Sequence, residues 1–399
     1  MSAPPPPVHR RLLLHAPGFE PLQPAQHRDR FARALERTAR LWSLSAGCGP
    51  LRAGETPGAA PRLAAWAEGP DWRCESEIRL LAWDHLIRAE LDRGGPALLA
   101  RGGAALLDLL ASGTLARYAR AHWRYALFAL YPMALLASGF GAAAGAAAAL
   151  GGAGGLIAGG GVLAGGLAWA RRRAMLDVML ADWRFAWDAA RGRHAGFQAV
   201  VEGAAREIAA AMEEPGCEEV VLLGHSLGAV FAVQGLALAL RRDPGLLERP
   251  GAPRFALIGL GSSVLKIALH PAAEALRRDV AQLAATPGLV WREHASRRDA
   301  LSFERAEPVA TLGLPGRGPR LRGVHPRDMV DSRTWRRICW QPLRIHRQYV
   351  MGNGRRYFLD IGMIACGPLS VSSGLDPDRA LGADGALGRA AAPALAPAG

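Results

Sequence analysis

Residues 219–228 read Glu-Val-Val-Leu-Leu-Gly-His-Ser-Leu-Gly, which places a serine between a buried apolar strand and an apolar helix. Glycines two positions before and two after Ser226 permit a strand-to-helix turn too tight for larger side chains. Such a turn exposes the serine at a helix N-terminus, where the dipole and free N–H groups favour negative charge. We therefore predict that Ser226 is a nucleophile for acyl transfer, on a turn formed with Gly224, His225 and Gly228. The alternative is a serine that only caps the helix.

Short apolar runs alternate with amphipathic stretches on both sides of this turn. This alternation predicts an α/β fold with a mostly parallel sheet and helices on both faces. We predict strands at residues 11–15, 78–83, 219–223, 255–260, 289–294 and 357–365, and helices at 26–44, 197–212, 227–240 and 272–285. Because only two of these strands precede the serine turn, we expect the sheet to be short on its N-terminal side.

One stretch, residues 125–170, contains no Asp, Glu, Lys, Arg or His. A bilayer crossing takes about 20 residues, so the stretch fits two transmembrane helices joined by a turn. Arginines flank both ends, which predicts that both ends lie in the cytoplasm. Its second half has glycines at four-residue spacing, a pattern that favours close helix approach and, here, a homo-oligomer: Gly151, Gly155 and Gly159. The alternative is a Gly/Ala-rich insertion in a soluble protein.

The net charge of +13 over 399 residues is carried almost entirely by arginine, and Lys266 is the only lysine. With the heavy use of Ala and Gly, this composition indicates a GC-rich bacterial coding bias rather than a nucleic-acid-binding surface. We also find no segment in which arginines cluster with aromatic residues, as a strand-tracking groove requires, and so expect no nucleic-acid partner. The five cysteines are odd in number and lack metal-site spacing, which predicts reduced thiols and no metal site.

The strand, the Gly224–Gly228 motif and the helix after it resemble the α/β-hydrolase superfamily, in the form common among its lipases and esterases. More narrowly, the chain from Arg11 to about Pro368 resembles membrane-associated bacterial α/β-hydrolase-like proteins. The resemblance implies a serine hydrolase that needs no metal or organic cofactor. The membrane hairpin, inserted between the second strand and the helix before the serine strand, departs from the general family.

The resemblance also implies an oxyanion hole of two backbone N–H groups. One is that of Leu227, directly after the serine. The segment His15-Ala16-Pro17-Gly18-Phe19 ends the first strand and resembles the family's loop at this place. The second N–H would come from Gly18 or Phe19, and the alternative is an ordinary Pro-Gly turn.

The family's chain order of serine, acid and histidine restricts the other catalytic residues to those after Ser226. Asp299 lies in a turn after the strand 289–294 that resembles the family's acid-bearing turn, and the alternative is a surface Asp paired with arginine. His346 begins a His-x-x-Tyr segment like that of lipase-like families, and His325 is the alternative base. Three glutamates are nearby acids of less suitable position: Glu293, Glu304 and Glu307.

These observations predict five regions: a Pro-rich lead-in (1–9), the N-terminal part of the hydrolase domain (10–94), a helical insertion (95–195), the C-terminal part (196–374) and a disordered tail (375–399). We expect a hydrolase anchored in the bacterial inner membrane, with a cytoplasmic catalytic domain that cleaves small hydrophobic or lipid-like esters. The alternatives are a thioesterase or peptidase with the same triad, and a non-catalytic membrane scaffold with a degenerate hydrolase fold.

Overall fold

The structure, a computed structural model, describes residues 6–54, 58–92 and 94–388. Eight strands in these ranges form one sheet. They are β1 (Arg10–Ala16), β2 (Ser45–Cys48), β3 (Arg62–Glu68), β4 (Arg73–Leu80), β5 (Glu219–His225), β6 (Arg254–Leu260), β7 (Val290–Ala295) and β8 (Arg320–Gly323).

Sixteen α-helices accompany the sheet in the described ranges. They are α1 (Pro24–Trp42), α2 (Asp84–Asp92), α3 (Gly95–Ala111), α4 (Thr114–Leu150), α5 (Gly152–Arg173), α6 (Leu176–Ala190), α7 (Phe197–Met212), α8 (Gly228–Arg242), α9 (Val264–Ala268), α10 (Glu274–Ala285), α11 (Pro308–Thr311), α12 (Pro326–Met329), α13 (Ser332–Ile338), α14 (Pro342–Arg347), α15 (Ile361–Cys366) and α16 (Pro377–Ala380). Short 3₁₀ turns cover Gln348–Val350 and Val371–Ser373.

The strand order is β2-β3-β4-β1-β5-β6-β7-β8. All neighbours from β4 to β8 pair in parallel, and β3 pairs antiparallel with β2 and β4. The serine strand β5 lies near the middle, between β1 and β6, and every residue in it is buried. A central parallel strand is covered on both faces, which explains its continuous apolar run. The prediction of an α/β fold with a mostly parallel sheet flanked by helices is confirmed.

The N-terminal side of the sheet is longer than predicted, because four strands precede β5 rather than two. The prediction that the sheet is short on its N-terminal side is therefore wrong. The two missed strands, β2 and β3, are an antiparallel extension paired to β4. The sequence of β2 is Ser-Ala-Gly-Cys, which has neither the β-branched residues nor the alternation that mark a strand.

The chain divides into two compact units. The sheet lies in the first unit, drawn from residues 1–83, 198–264 and 277–399, and the second is helical, from 84–197 and 265–276. The helical unit thus begins at residue 84 rather than at the predicted 95, because residues 84–92 form a helix packed on α6. The helical unit also includes residues 265–276, where His270 Nε2 lies 2.7 Å from Asp108 Oδ2. The two residues are 162 positions apart, so no local sequence pattern predicts this contact.

Two other predictions near the C-terminus are corrected. Residues 357–365 do not form a strand: Asp360 caps helix α15 by accepting the N–H groups of Gly362 and Met363. The part of the predicted disordered tail that is described, 375–388, is packed in place. Trp72 donates its indole N–H to the Gly385 carbonyl at 2.9 Å, a pairing that composition cannot reveal. The rest of that prediction, 389–399, lies outside the described residues.

The apolar stretch 125–170 lies on α4 and α5, which are separated by a turn at Gly151. Both helices are long and apolar enough to cross a membrane, and their most apolar windows are 0% and 17% buried. The glycine face predicted for a homo-oligomer is already occupied within the hairpin. A side chain at Gly155 or Gly159 would collide with the backbone of α4, at Ala147 and Ala143 respectively. This face therefore joins the two helices of one chain.

Candidate active site

Ser226 occupies the sharp turn between the buried strand β5 and helix α8. Its φ of 54° lies in the left-handed region, which non-glycine residues seldom adopt. Holding a side chain there costs on the order of 1 kcal/mol or more, so the surrounding fold must maintain it. Its amide N–H donates to the Leu260 carbonyl at 3.0 Å, which ties the turn to the end of β6.

The two glycines of the motif are required by the close packing around this turn. A Cβ at Gly224 would collide with the backbone of Ala229 in α8. A Cβ at Gly228 would collide with the carbonyl oxygen of Ala16, at the end of β1. The motif Gly-x-Ser-x-Gly thus brings the β1 end, the serine and the helix start into contact.

The β1 end also carries the predicted oxyanion loop. A Cβ at Gly18 would lie 3.0 Å from Ser226 Cβ, so the Gly18 backbone is directly against the serine. Trp83 holds this loop, donating its indole N–H to the Pro17 carbonyl at 2.8 Å. The Phe19 ring packs edge-on against Trp83, with ring centroids 5.8 Å apart. Among the described residues, the Leu227 amide has no backbone acceptor. It is therefore available to an oxyanion.

Asp299 and His346, predicted from distant parts of the chain, lie together. His346 Nδ1 is 2.7 Å from Asp299 Oδ2, and both side chains are buried. The other carboxylate oxygen, Oδ1, accepts the Leu301 N–H at 2.9 Å. Burial alone would raise the pKa of Asp299, but the His346 ring and these hydrogen bonds lower it below its ordinary value. The carboxylate is therefore charged and fixes the orientation of the imidazole.

His346 and Ser226 are close but are not hydrogen-bonded. Gly261 lies between the two residues. A Cβ added to Gly261 would lie 3.0 Å from His346 Cε1, and Gly261 directly follows Leu260, whose carbonyl accepts the Ser226 amide N–H. Among the described residues, His346 Nε2 has no hydrogen-bond partner. The Ser226 hydroxyl instead lies 3.4 Å from that of Ser263. No hydrogen bond therefore joins His346 Nε2 to Ser226 Oγ among the described residues.

His225 has a position that sequence reasoning missed. Its Nε2–H donates to the His346 backbone carbonyl at 3.1 Å, and the two rings lie 4.9 Å apart. Burial, with a smaller contribution from the charge of His346, lowers the pKa of His225 to about 3. His225 therefore stays neutral and supports the backbone of His346. The motif identified this residue only as part of the turn.

A partly buried ion cluster also supports the His346 segment. Glu20 Oε2 lies 2.5 Å from Arg30 NH1, and Glu20 Oε1 lies 2.7 Å from Arg347 Nε. Burial opposes ionisation of Glu20, but the arginines lower its pKa to about 2. Because Glu20 follows the oxyanion loop and Arg347 follows His346, the cluster joins the two sides of the site. No sequence signal identified it, since its members are 10 and 327 residues apart.

The alternative residues lie elsewhere. His325 is exposed, and its amide N–H donates to Tyr357. Glu293 is buried and accepts the Trp291 indole N–H at 3.1 Å. Glu307 caps α11, and Glu304 pairs with its neighbour Arg305. Among the described residues, none of these acids forms a hydrogen bond or an ion pair with His346, whose acidic partner is Asp299.

This arrangement contains a strained serine, a buried Asp–His pair and, among the described residues, a Leu227 amide without a backbone acceptor, which together suit covalent acyl transfer. Comparison of the chain with protein-family models, with curated proteins and with solved structures finds no match.

Proposed function

We propose that the chain is a serine hydrolase of the α/β-hydrolase fold that cleaves carboxylic esters. The observation that carries the proposal is Ser226, at φ 54° on a strand-to-helix turn, beside the buried Asp299–His346 pair. A merely structural turn gains nothing from a strained, part-exposed serine, whereas a nucleophile needs this position.

In the proposed mechanism, the Ser226 hydroxyl rotates from Ser263 to Nε2 of His346, which has no hydrogen-bond partner among the described residues. Ser226 Oγ attacks the ester carbonyl carbon while His346 takes its proton. The carbonyl oxygen becomes an oxyanion held by the amides of Leu227 and of Gly18 or Phe19. Charged Asp299 stabilises the imidazolium through Nδ1.

The oxyanion then collapses, the C–O bond to the alcohol breaks, and His346 donates its proton to the leaving oxygen. Water enters, gives a proton to His346 and attacks the acyl-enzyme. A second oxyanion forms in the same place and collapses. The bond from the acyl carbon to Ser226 Oγ breaks, and His346 returns its proton to Oγ, which releases the acid and restores the Ser226 hydroxyl. His346 is thus neutral again at the end of acylation and at the end of deacylation, as the cycle requires.

We further propose that α4 and α5 anchor the enzyme in a membrane with both ends cytoplasmic. Their length, apolar composition and low burial support this, as do the arginines that flank the hairpin. A hydrolase held at a bilayer meets hydrophobic acyl esters at high local concentration. A lipid-like ester is therefore the proposed substrate class, and thioesters remain chemically accessible to the same nucleophile.

The proposal is tested by labelling the purified full chain with a fluorophosphonate probe and by following p-nitrophenyl ester hydrolysis. Ser226→Ala should lose the label and reduce turnover by several orders of magnitude. Ser43→Ala is a matched control, because Ser43 also has a left-handed φ, of 57°, but is exposed at the end of α1. A folded wild-type chain that neither labels nor turns over any ester would favour the scaffold alternative.

A further inference from the structure

A basic and aromatic surface lies on the segment that carries His346. Residues 331–347 contain five arginines and one acid, Asp331. The exposed members form what we call the Arg/Trp surface: Arg333, Arg336, Arg337, Trp340 and Arg344. The Trp340 ring, 90% exposed, lies at the turn between α13 and α14. This segment contradicts the expectation that arginines and aromatics do not cluster anywhere in the chain.

The four arginines of this surface are not neutralised. Among the described residues, no carboxylate lies within ion-pair distance of any of them. Asp331, the one acid nearby in sequence, is engaged by Thr334, whose N–H and hydroxyl it accepts at 2.8 and 2.7 Å. By contrast Arg347, at the end of the same segment, pairs with Glu20. The surface therefore presents four uncompensated positive charges.

The exposure of Trp340 is built into the fold. Ile338 and Ile345, on either side, are buried, and the Gln341 N–H donates to the Ile338 carbonyl at 2.8 Å. Trp335 is partly buried against the core of the sheet unit. Helices α13 and α14 are thus anchored by these buried side chains, and the turn between the two helices keeps the Trp340 indole exposed.

We propose that the Arg/Trp surface docks on an anionic lipid bilayer. Arginines are attracted to anionic headgroups, each adding about fivefold to partitioning near such a surface. An indole with one apolar and one polar side is favoured at the headgroup level. The two candidate membrane helices of the same chain also favour a bilayer over an RNA, which would need several stacking rings along a groove.

Docking in this way deepens the proposed function. The α14 helix ends one residue after His346, so a bilayer bound at the Arg/Trp surface lies beside the segment that carries the base. An ester within that leaflet is then presented to the side of the site that carries His346. The delivery of an ester to the site rests on the proposed function, whereas binding of the Arg/Trp surface to a bilayer is independent of catalysis.

The natural thiol Cys339 reports on this surface, because it is half-buried and directly precedes Trp340. Cys74 and Cys366 are buried, so replacing the half-buried Cys48 and Cys217 by serine leaves Cys339 as the accessible thiol. The full chain carrying Ser226→Ala, which removes any hydrolysis, is reconstituted in bilayers of phosphatidylcholine alone or with about 30% phosphatidylglycerol. The rate of reaction with a water-soluble maleimide is then measured.

We expect the thiol to react about tenfold more slowly in the anionic bilayer than in phosphatidylcholine, and about 0.5 M NaCl to abolish this protection. Arg336→Gln with Arg337→Gln should remove most of the protection, and Trp340→Ala should reduce it. A matched control, Arg242→Gln with Arg278→Gln, changes two exposed arginines on α8 and α10 and should retain it.

Equal reaction rates in the two bilayers would overturn the proposal, as would a chain that associates with neither. Protection by polyuridylate in place of the anionic bilayer would assign the surface to nucleic acid instead. Because the protein used is catalytically silenced, these results are separate from fluorophosphonate labelling of the wild-type chain. Failure of one proposal is therefore distinguishable from failure of the other.

Discussion

Replacing Asp299 by asparagine should slow ester hydrolysis by about four orders of magnitude and leave the protein folded. Asp299 Oδ2 lies 2.7 Å from His346 Nδ1. For unit charges at that separation, an effective dielectric constant of about 20 gives about 6 kcal/mol of attraction. This attraction arises only when His346 becomes protonated during attack by Ser226, so its loss appears in the barrier. At about 1.4 kcal/mol per tenfold change in rate, the cost is about 10⁴ in kcat.

Asparagine has nearly the volume of aspartate and can still accept the Leu301 N–H that Asp299 Oδ1 accepts. Its amide NH₂, however, would donate to His346 Nδ1 if it faced the ring, which places the proton on the wrong nitrogen for a base. The assay is turnover of a short p-nitrophenyl ester by the full chain, with thermal unfolding to verify folding.

The matched control is Asp360→Asn, another buried aspartate, which caps α15 and lies 2.5 Å from the Thr38 hydroxyl. It should change stability but leave turnover within about twofold, because surface and core changes away from the reacting atoms remove no transition-state interaction. A folded Asp299→Asn protein that retains more than about one tenth of wild-type turnover would refute the assigned role of Asp299.

Two other predictions concern stability and topology. Burial raises the pKa of Glu293 to about 8 from an ordinary 4.5, so the folded state keeps a proton that the unfolded state releases. The favourable contribution of the protonated Glu293 carboxyl to the free energy of unfolding is fully present below pH 4.5 and is lost as the pH rises toward 8. Glutamine cannot ionise, so Glu293→Gln should stabilise the protein by about 3 kcal/mol more at pH 8 than at pH 5, measured by urea unfolding. Equal effects at the two pH values would contradict the protonated state. For topology, the variants Arg120→Cys and Ala174→Cys each place a cysteine at one end of the hairpin. Each introduced thiol should react with a membrane-impermeant thiol reagent only from the cytoplasmic side. Labelling of either thiol from the opposite side would refute a hairpin with both ends cytoplasmic.

The sequence alone was sufficient to predict the α/β class, the turn at Ser226 and the apolar hairpin. Each of these features is determined by interactions between residues that are close in the sequence. Two glycines around a serine make a tight turn sterically possible, and a long run without charges either crosses a membrane or must be buried. Chain order, taken from the resemblance, then restricted the candidates to residues after Ser226. The resemblance of two local segments selected Asp299 and His346 among them, and the fold brings these two side chains to 2.7 Å.

Other features could not be predicted, because they depend on contacts between residues far apart in the chain. The Glu20–Arg347 pair and the Trp72–Gly385 bond span 327 and 313 residues, and neither leaves a local pattern. The edge strand β2, with four small or polar residues, is a strand only because β3 supplies its hydrogen-bond partners. The contact of the Ser226 hydroxyl with that of Ser263, 37 residues later in the chain, likewise leaves no local pattern. Local sequence restricts the backbone, but only the assembled sheet determines which distant side chains share a buried volume, and burial determines their charge.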